Sequence, residues 1–204
     1  MRAVVEALLL ALLNKVRWLT LEQITRLLEV ESLVSVRRLV AELLEARLVR
    51  REDVFLPRTE LLWAPFFRWQ PGEPAPAFGV VAHRMAGRWG GPCEAKSIVL
   101  ATPRAARLFG GHAGRVQQAG RAHDLHLAEV YLQFLRTRPE EAMDWVSEAA
   151  LAADREGQVL PDAAIVDRDG TLRLSVELVG HYPKERLARF HADAVARDLP
   201  YELW

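Results

Sequence analysis

An α+β fold, helical and basic at the front and strand-bearing and acidic at the back, is what this 204-residue sequence predicts. Three observations predict it. Apolar residues recur at three- and four-residue intervals from Val4 to Leu44, apolar and polar residues alternate from Thr171 to Val179, and the charge changes sign along the chain. Residues 1–57 carry 9 basic and 8 acidic side chains, 58–125 carry 9 and 4, and 126–204 carry 9 and 15. A front at +6 thus meets a back at −6 within a neutral total, which points to two tasks, one facing phosphates and one able to hold cations. With 50% hydrophobic residues, one or two packed domains are expected and wholesale disorder is excluded. The single cysteine, Cys93, rules out an intramolecular disulfide and a Cys-based zinc cage, which fits a reducing cytoplasm and leaves only carboxylates or His for a metal. The most apolar run, Ala7 to Leu13, is too short for a bilayer and lacks a cleavage site, so a soluble cytoplasmic protein without membrane contact is expected.

Residues 2–13 read as a helix, with Val4, Val5, Leu8, Leu9, Leu12 and Leu13 on one stripe. Thr20-Leu21-Glu22-Gln23 is a capping box that opens a second helix, buried through Ile24, Leu27 and Leu28. A third begins near Ser32: Val36, Leu39, Val40, Leu43 and Leu44 form its apolar face and leave Ser35, Arg37, Arg38, Ala41, Glu42 and Glu45 outward. Leu48 to Leu56 then reads as a short hairpin turning on its charged residues.

Seven of the eleven prolines fall between Pro57 and Pro103, with Trp63, Trp69 and Trp89. Residues 58–120 are accordingly a connector, in which Pro71-Gly72-Glu73-Pro74 marks a turn. A short basic helix from Phe78 to Trp89, a strand from Ser97 to Ala101 and a helix from Pro103 to Phe109 complete it. Its aromatics are expected to fold back onto a neighbouring core. Gly110-Gly111-His112-Ala113-Gly114 reads as a loop.

In residues 121–204, a helix from about Asp124 to Thr137 buries Leu127, Val130, Tyr131, Phe134 and Leu135. Ala142 to Glu148 reads as a strand, although its alanines leave helix open. Leu160 to Val166 and Thr171 to Val179 form a hairpin around Asp167-Arg168-Asp169-Gly170. Alternation sets Leu172, Leu174, Val176 and Leu178 on one face and Arg173, Ser175, Glu177 and Val179 on the other. Asp162 then lies close to Glu177. A charged helix, Lys184 to Arg197, precedes a parallel edge strand at Tyr201 to Trp204. No GxSxG or GxxxxGK[ST] motif occurs, so hydrolase triads and P-loop chemistry have no basis.

Three helices followed by a hairpin within residues 1–57 resemble a winged helix-turn-helix, matched from Thr20 to Leu56. The resemblance implies double-stranded DNA as partner, with Ser35, Arg37 and Arg38 in the major groove and Arg47, Arg50 and Arg51 on phosphates. Winged helices also dock proteins. Pro161-Asp162 and Glu177-Leu178-Val179, in the order helix, strand, Pro-Asp strand, turn, strand, helix, strand, resemble the PD-(D/E)XK nuclease fold, a small α/β/α domain with a mixed sheet. Together with His123-Asp124-Leu125-His126-Leu127-Ala128-Glu129, Trp145 and Glu148, the chain resembles the replication-relaxation family of plasmids and other mobile elements. That family implies a DNA-binding accessory of replication, relaxation or mobilisation. The partners it implies include replication or conjugation proteins, and the winged-helix resemblance implies a second copy of the chain as a homodimer, since such domains commonly dimerise on two-fold sites. In active nucleases of this fold the implied metal ligands would be Glu129, Asp162 and Glu177. Val179 stands where the motif lysine belongs and can neither donate a proton nor hold charge. The domain is therefore expected to be inactive and to require no cofactor. An alternative is a Mg²⁺-dependent endonuclease with Glu177, Asp162 and a relocated Lys184 as catalytic residues. Another is a protein-interaction module of a replication or conjugation complex. His123 and His126 are expected to cap and pack a helix start.

Overall fold

A computed structural model of the chain describes residues 2–30, 32–88, 91–117, 120–152 and 159–204. Helix α1 (Arg2–Leu10) runs directly into a π-helical turn, Ala11–Lys15, and β1 (Leu19–Thr20) leads into α2 (Leu21–Leu27). Both halves of the predicted capping box are made: Gln23 N donates to Thr20 Oγ1 at 3.1 Å, and Thr20 N donates to Gln23 Oε1 at 3.0 Å. Helix α3 (Leu33–Glu45) is capped by the Ser32 hydroxyl and buries Val36, Leu39, Val40 and Leu43, the predicted face.

The expected hairpin over 48–56 is corrected. Val49–Pro57 is one nine-residue strand, β2, and its partner is β4 (Cys93–Ala101), paired antiparallel from Val49↔Ala101 to Pro57↔Cys93. The physical reason lies in the turn: Arg50-Arg51-Glu52-Asp53 contains no Gly or Asn, the residues that most readily take the positive φ of a tight hairpin. The left-handed backbone sits earlier, at Arg47 (φ 58°), where Leu48 N donates to Leu43 O and Arg47 N to Leu44 O. That double bond pattern ends α3 and redirects the chain into β2. With β1 the strands form a three-stranded sheet in the order β1-β4-β2. The strand expected inside the connector therefore belongs to the front sheet.

The segment between β2 and β4 reaches to the other end of the molecule. Its strand β3 (Phe67–Trp69) pairs with β8 (Tyr201–Leu203), and its helix α4 (Phe78–Met85) packs near α9 (Lys184–Ala196). The expected basic helix thus ends at Met85, with Arg88 in the turn beyond it, while Trp89 and Gly90 lie outside the described residues. Helix α5 (Pro103–Phe109) has the predicted bounds.

Helix α6 (Arg121–Thr137), α7 (Pro139–Met143), β5 (Trp145–Ser147), α8 (Glu148–Leu151), β6 (Ala163–Val166) and β7 (Leu172–Glu177) complete the back. The five-stranded sheet has the order β3-β8-β7-β6-β5, mixed because β7 and β8 run parallel. The predicted β6–β7 hairpin is present, with a bulge at Ile165/Val166. The parallel strand at the C-terminus is also present, but β8 is internal: β3 covers the edge that the local sequence pattern leaves open. One sheet face, through Ile165, Leu174, Val176 and Leu178, packs with Tyr131 and Phe134 of α6; the other packs Trp69, Val179, Tyr201 and Leu203 against Leu187 and Phe190 of α9. Front and back share one continuous apolar cluster, from Leu8 and Val36 through Phe134 to Trp204. No helix among the described residues is long and apolar enough to cross a membrane.

Candidate functional site

The six DNA-contact candidates all sit where α3 and β2 place them on the surface. Helical spacing turns Ser35, Arg37 and Arg38 away from the buried face of α3. Arg38 is held loosely by Glu42 at 3.5 Å, an exposed i,i+4 pair of a kind worth about 0.3–0.5 kcal/mol. Arg37, Arg47 and Arg51 are exposed, with no ion pair among the described residues. Arg50 departs from the expectation. Strand alternation turns it to the face opposite Arg51, where it donates to Gly114 O at 3.3 Å and pairs with Glu52 at 3.2 Å. Arg51 shares its face with Val49, which packs in the cluster holding Val36, Leu39 and Leu43 of α3. Arg50 and Arg51 also lie near the base of β2, not at the tip of a hairpin.

The carboxylates separate into two places. Asp162 and Glu177 meet as predicted: Leu178 N donates to Asp162 Oδ2 at 2.7 Å, and Asp162 N donates to Glu177 Oε2 at 3.3 Å. Both side chains are buried. Glu129 is elsewhere. It accepts two bonds from Arg26, with Nη1 at 2.7 Å and Nη2 at 2.5 Å, and one from Gln23 Nε2 at 2.7 Å. Gln23, already half of the capping box, also donates to Leu125 O at 3.0 Å. Glu129 therefore fastens α2 to α6 and does not join Asp162 and Glu177 as a third metal ligand. This corrects the expected trio.

What meets Asp162 from α6 is His123, whose Nε2 lies 3.0 Å from Asp162 Oδ2 and whose Nδ1 lies 3.8 Å from Asp124 Oδ1. Burial works against the imidazolium, but hydrogen bonds to Asp124 and Asp162 and their charges outweigh it and hold His123 up at about 10. Arg17 adds a second cation, 2.9 Å from Glu148 and 3.6 Å from Asp124. Arg186 of α9 adds a third, 3.5 Å from Glu177 Oε1. Burial first, and then the Asp162 charge, push the Glu177 carboxyl well above its ordinary range. Burial with the neighbouring Glu177 and Asp162 charges likewise raises the Tyr182 phenol.

Four carboxyl groups, Asp124, Glu148, Asp162 and Glu177, thus face three cations, Arg17, His123 and Arg186, and burial presses Glu177 towards its neutral form. The residues fit a metal poorly for that reason: Asp162 Oδ2 is already engaged by a backbone amide and a cationic ring, and Glu177 faces a guanidinium. Among the described residues no group of three or more His, Cys, Asp or Glu is arranged to hold a metal ion. One oxygen stands apart, since Asp124 Oδ2 is buried without a hydrogen-bond partner.

Lys184 does not replace the missing motif lysine. Its side chain is 67% exposed and its nearest carboxylate is Glu185 at 4.0 Å. Pro183 is the N-cap of α9, so Lys184 opens the helix into solvent while Arg186, two residues on, faces Glu177. Val179 lies in the apolar cluster between the sheet and α9. His126 behaves as a packing residue: its Nε2 accepts from Glu60 N at 3.2 Å, which leaves Nδ1 to donate to Ala122 O at 2.7 Å, and burial lowers it.

His123, Asp124, Arg17 and Arg186 are the members of the cluster that sequence reasoning missed as a set. For His123 and Asp124 the signal was present, because they open the helix that faces the Pro-Asp strand. For Arg17, remote in the chain, none was. In comparisons with family models, with curated proteins and with solved structures, nothing matches the chain.

Proposed function

We propose that the chain is a double-stranded-DNA-binding protein of a plasmid or other mobile element, built from a winged helix-turn-helix and a PD-(D/E)XK-like domain that does not cut. The observation that carries this reading is the trio Arg37, Arg47 and Arg51, exposed and unpaired among the described residues along α3 and the strand face it covers. Unpaired guanidiniums on an exposed surface, here one on α3, one in the turn after it and one on β2, are what phosphate recognition needs. The element order α1-β1-α2-α3-β2-β4 and the sheet order β1-β4-β2 support the winged-helix reading, with residues 58–92 in place of a short wing. The mixed sheet between α6 and α9, with Asp162 beside Glu177, supports the nuclease-like one. Two built-in cations at that pair, His123 on Asp162 and Arg186 on Glu177, support a role other than cleavage, as an accessory of replication, relaxation or mobilisation.

Fluorescence anisotropy on a labelled duplex tests the reading: binding that weakens steeply with salt is expected, and no binding at low salt rejects it. A second reading, a Mg²⁺-dependent endonuclease, is favoured by one observation, the unpartnered Asp124 Oδ2, which would put Asp124 in the place expected for Glu129. Nicking of supercoiled plasmid with Mg²⁺, lost in Asp124→Asn and in Glu177→Gln, would establish it.

A further inference from the structure

The stretch from Ala95 to His123 holds no acidic residue and five basic ones, Lys96, Arg104, Arg107, Arg115 and Arg121. Part of it, the glycine loop at 110–114 and the residues just beyond, lines a cavity of about 180 Å³, open on one side, against the π-helical turn that follows α1 and the start of α8. Its polar walls are Asn14, Arg17, His112, Arg115, Gln117 and Ser147, and no carboxylate among the described residues lines it. We propose that this cavity is a binding site for a phosphate group.

The loop is built to hold its donors in place. Gly111 has φ 83°, and a Cβ there would stand 2.6 Å from Leu13 O and 2.7 Å from Asn14 Oδ1. A Cβ at Gly114 would stand 2.3 Å from Arg17 O. Only glycine permits these approaches. The loop backbone is tied down as well, with His112 N donating to Leu13 O at 2.7 Å and Gly114 N to Ala101 O at 3.1 Å. His112 and Arg115 are thereby presented from a fixed frame, and both are exposed without an ion pair among the described residues. Arg17 is a cavity wall whose charge is already met by Glu148 at 2.9 Å and Asp124 at 3.6 Å, so Arg115 and His112 are the groups left to carry the recognition.

The guanidinium fork of Arg115, an imidazole, an amide and a hydroxyl are donors suited to a tetrahedral oxyanion. The size decides between a group and a molecule. Pockets for whole small ligands run to about 300–1,000 Å³, so this cavity takes a phosphate and the first atoms attached to it. The phosphate can be the terminal group of a nucleic acid strand or free inorganic phosphate; the chemistry of recognition is the same.

Titration of the full chain with inorganic phosphate, followed by calorimetry and by phosphorus NMR line broadening, tests the site. One saturable phosphate per chain is expected, weakened roughly tenfold by Arg115→Gln and again by His112→Gln. Absence of saturable binding, or binding that neither substitution alters, overturns the proposal. Arg37→Ala serves as a control, because a phosphate site made by α3 would respond to it and this one would not. Terminally phosphorylated and unphosphorylated single-stranded oligonucleotides separate the two sources. A preference for the phosphorylated strand that disappears in Arg115→Gln assigns the site to nucleic acid ends, whereas equal binding of both, with inorganic phosphate still bound, assigns it to the free ion. The duplex-binding reading of α3 stands or falls separately.

Discussion

The surface of α3 and the pocket beside β6 and β7 treat their charges in opposite ways. Arg37, Arg47 and Arg51 stand in water with no carboxylate among the described residues to neutralise them, while Arg17, His123 and Arg186, though partly open to water themselves, each reach a carboxyl group at the rear, in the case of Asp162 and Glu177 a buried one. Unpaired surface cations cost the fold little and remain available to a polyanion. The buried carboxyls at the rear must be matched, because an isolated charge out of water is far costlier than a paired one. The contrast teaches that the cations left unpaired lie on the surface of the front, and that the rear carboxyls are engaged in holding α6, β6, β7 and α9 together.

The largest effect is expected at the junction between the two regions. Glu129→Ala strips Arg26 and Gln23 of a buried partner at once; because the Arg26 side chain is itself 41% exposed, the cost falls at the lower end of the about 3–5 kcal/mol that breaking a fully buried pair takes. Urea unfolding should show the midpoint falling strongly, with loss of α2 docking. If Glu129 instead held a metal, the loss would appear only when Mg²⁺ is present. Stability unchanged without Mg²⁺ would restore the metal role.

Next in size is a pH effect confined to the rear cluster. His123 is raised to about 10 in the folded chain, against 6.5 for the free side chain. A raised folded pKa gives stability that is complete below the unfolded value and is lost as pH climbs through the folded one. Stability should therefore fall between pH 7 and pH 10, by on the order of 3 kcal/mol. Asp124 and Asp162 supply the opposing charges, and Glu177 and Arg17 stand next to them. Thermal melts across that range should show the slope in the wild type and its loss in His123→Gln. A flat wild-type profile would mean that the imidazolium does not neutralise the cluster.

The same contrast explains what could be read from the chain. Val36, Leu39, Val40 and Leu43, the capping box at Thr20 and Gln23, and the alternation through Glu177 are local patterns, set by neighbours a few residues away, and each was legible. The pairing of Asp162 with Glu177 followed from a hairpin and was legible too. The partners of Glu129 were not: Gln23 and Arg26 lie 106 and 103 residues away, and no periodicity links them. Nor did anything local indicate that β2 would skip 35 intervening residues to find β4, or that those residues would supply β3 to the far sheet. Lys184 stands closer in sequence to the motif position than Arg186 does, but the place of Pro183 at the start of α9 decides which cation faces inward.

A moderate effect is expected on DNA and none on folding. Arg37→Ala and Arg51→Ala should each weaken duplex binding severalfold and lower the slope of log affinity against log salt by about 1, as expected for the loss of one phosphate contact. Arg50→Ala should do less, because its guanidinium is turned to Gly114 and Glu52. Equal losses for Arg50 and Arg51 would show that both faces of β2 approach DNA, and would remove the distinction drawn from strand alternation.

The smallest effect on stability separates fold from function at a single position. Arg47 holds a left-handed backbone, φ 58°, at the residue that ends α3, where glycine is favoured and a side chain costs about 1 kcal/mol. Arg47→Gly relieves that strain and loses part of the gain to added freedom in the unfolded chain, so stability should hold or rise by up to about 1 kcal/mol. The same substitution deletes a guanidinium from the surface next to α3, so duplex affinity should fall and the salt dependence should become shallower. An Arg at a position that prefers glycine is explained if its charge is used. An Arg47→Gly variant that is at least as stable and binds DNA as tightly as the wild type would take Arg47 out of the interface and leave only α3 itself and Arg51 to meet the phosphates.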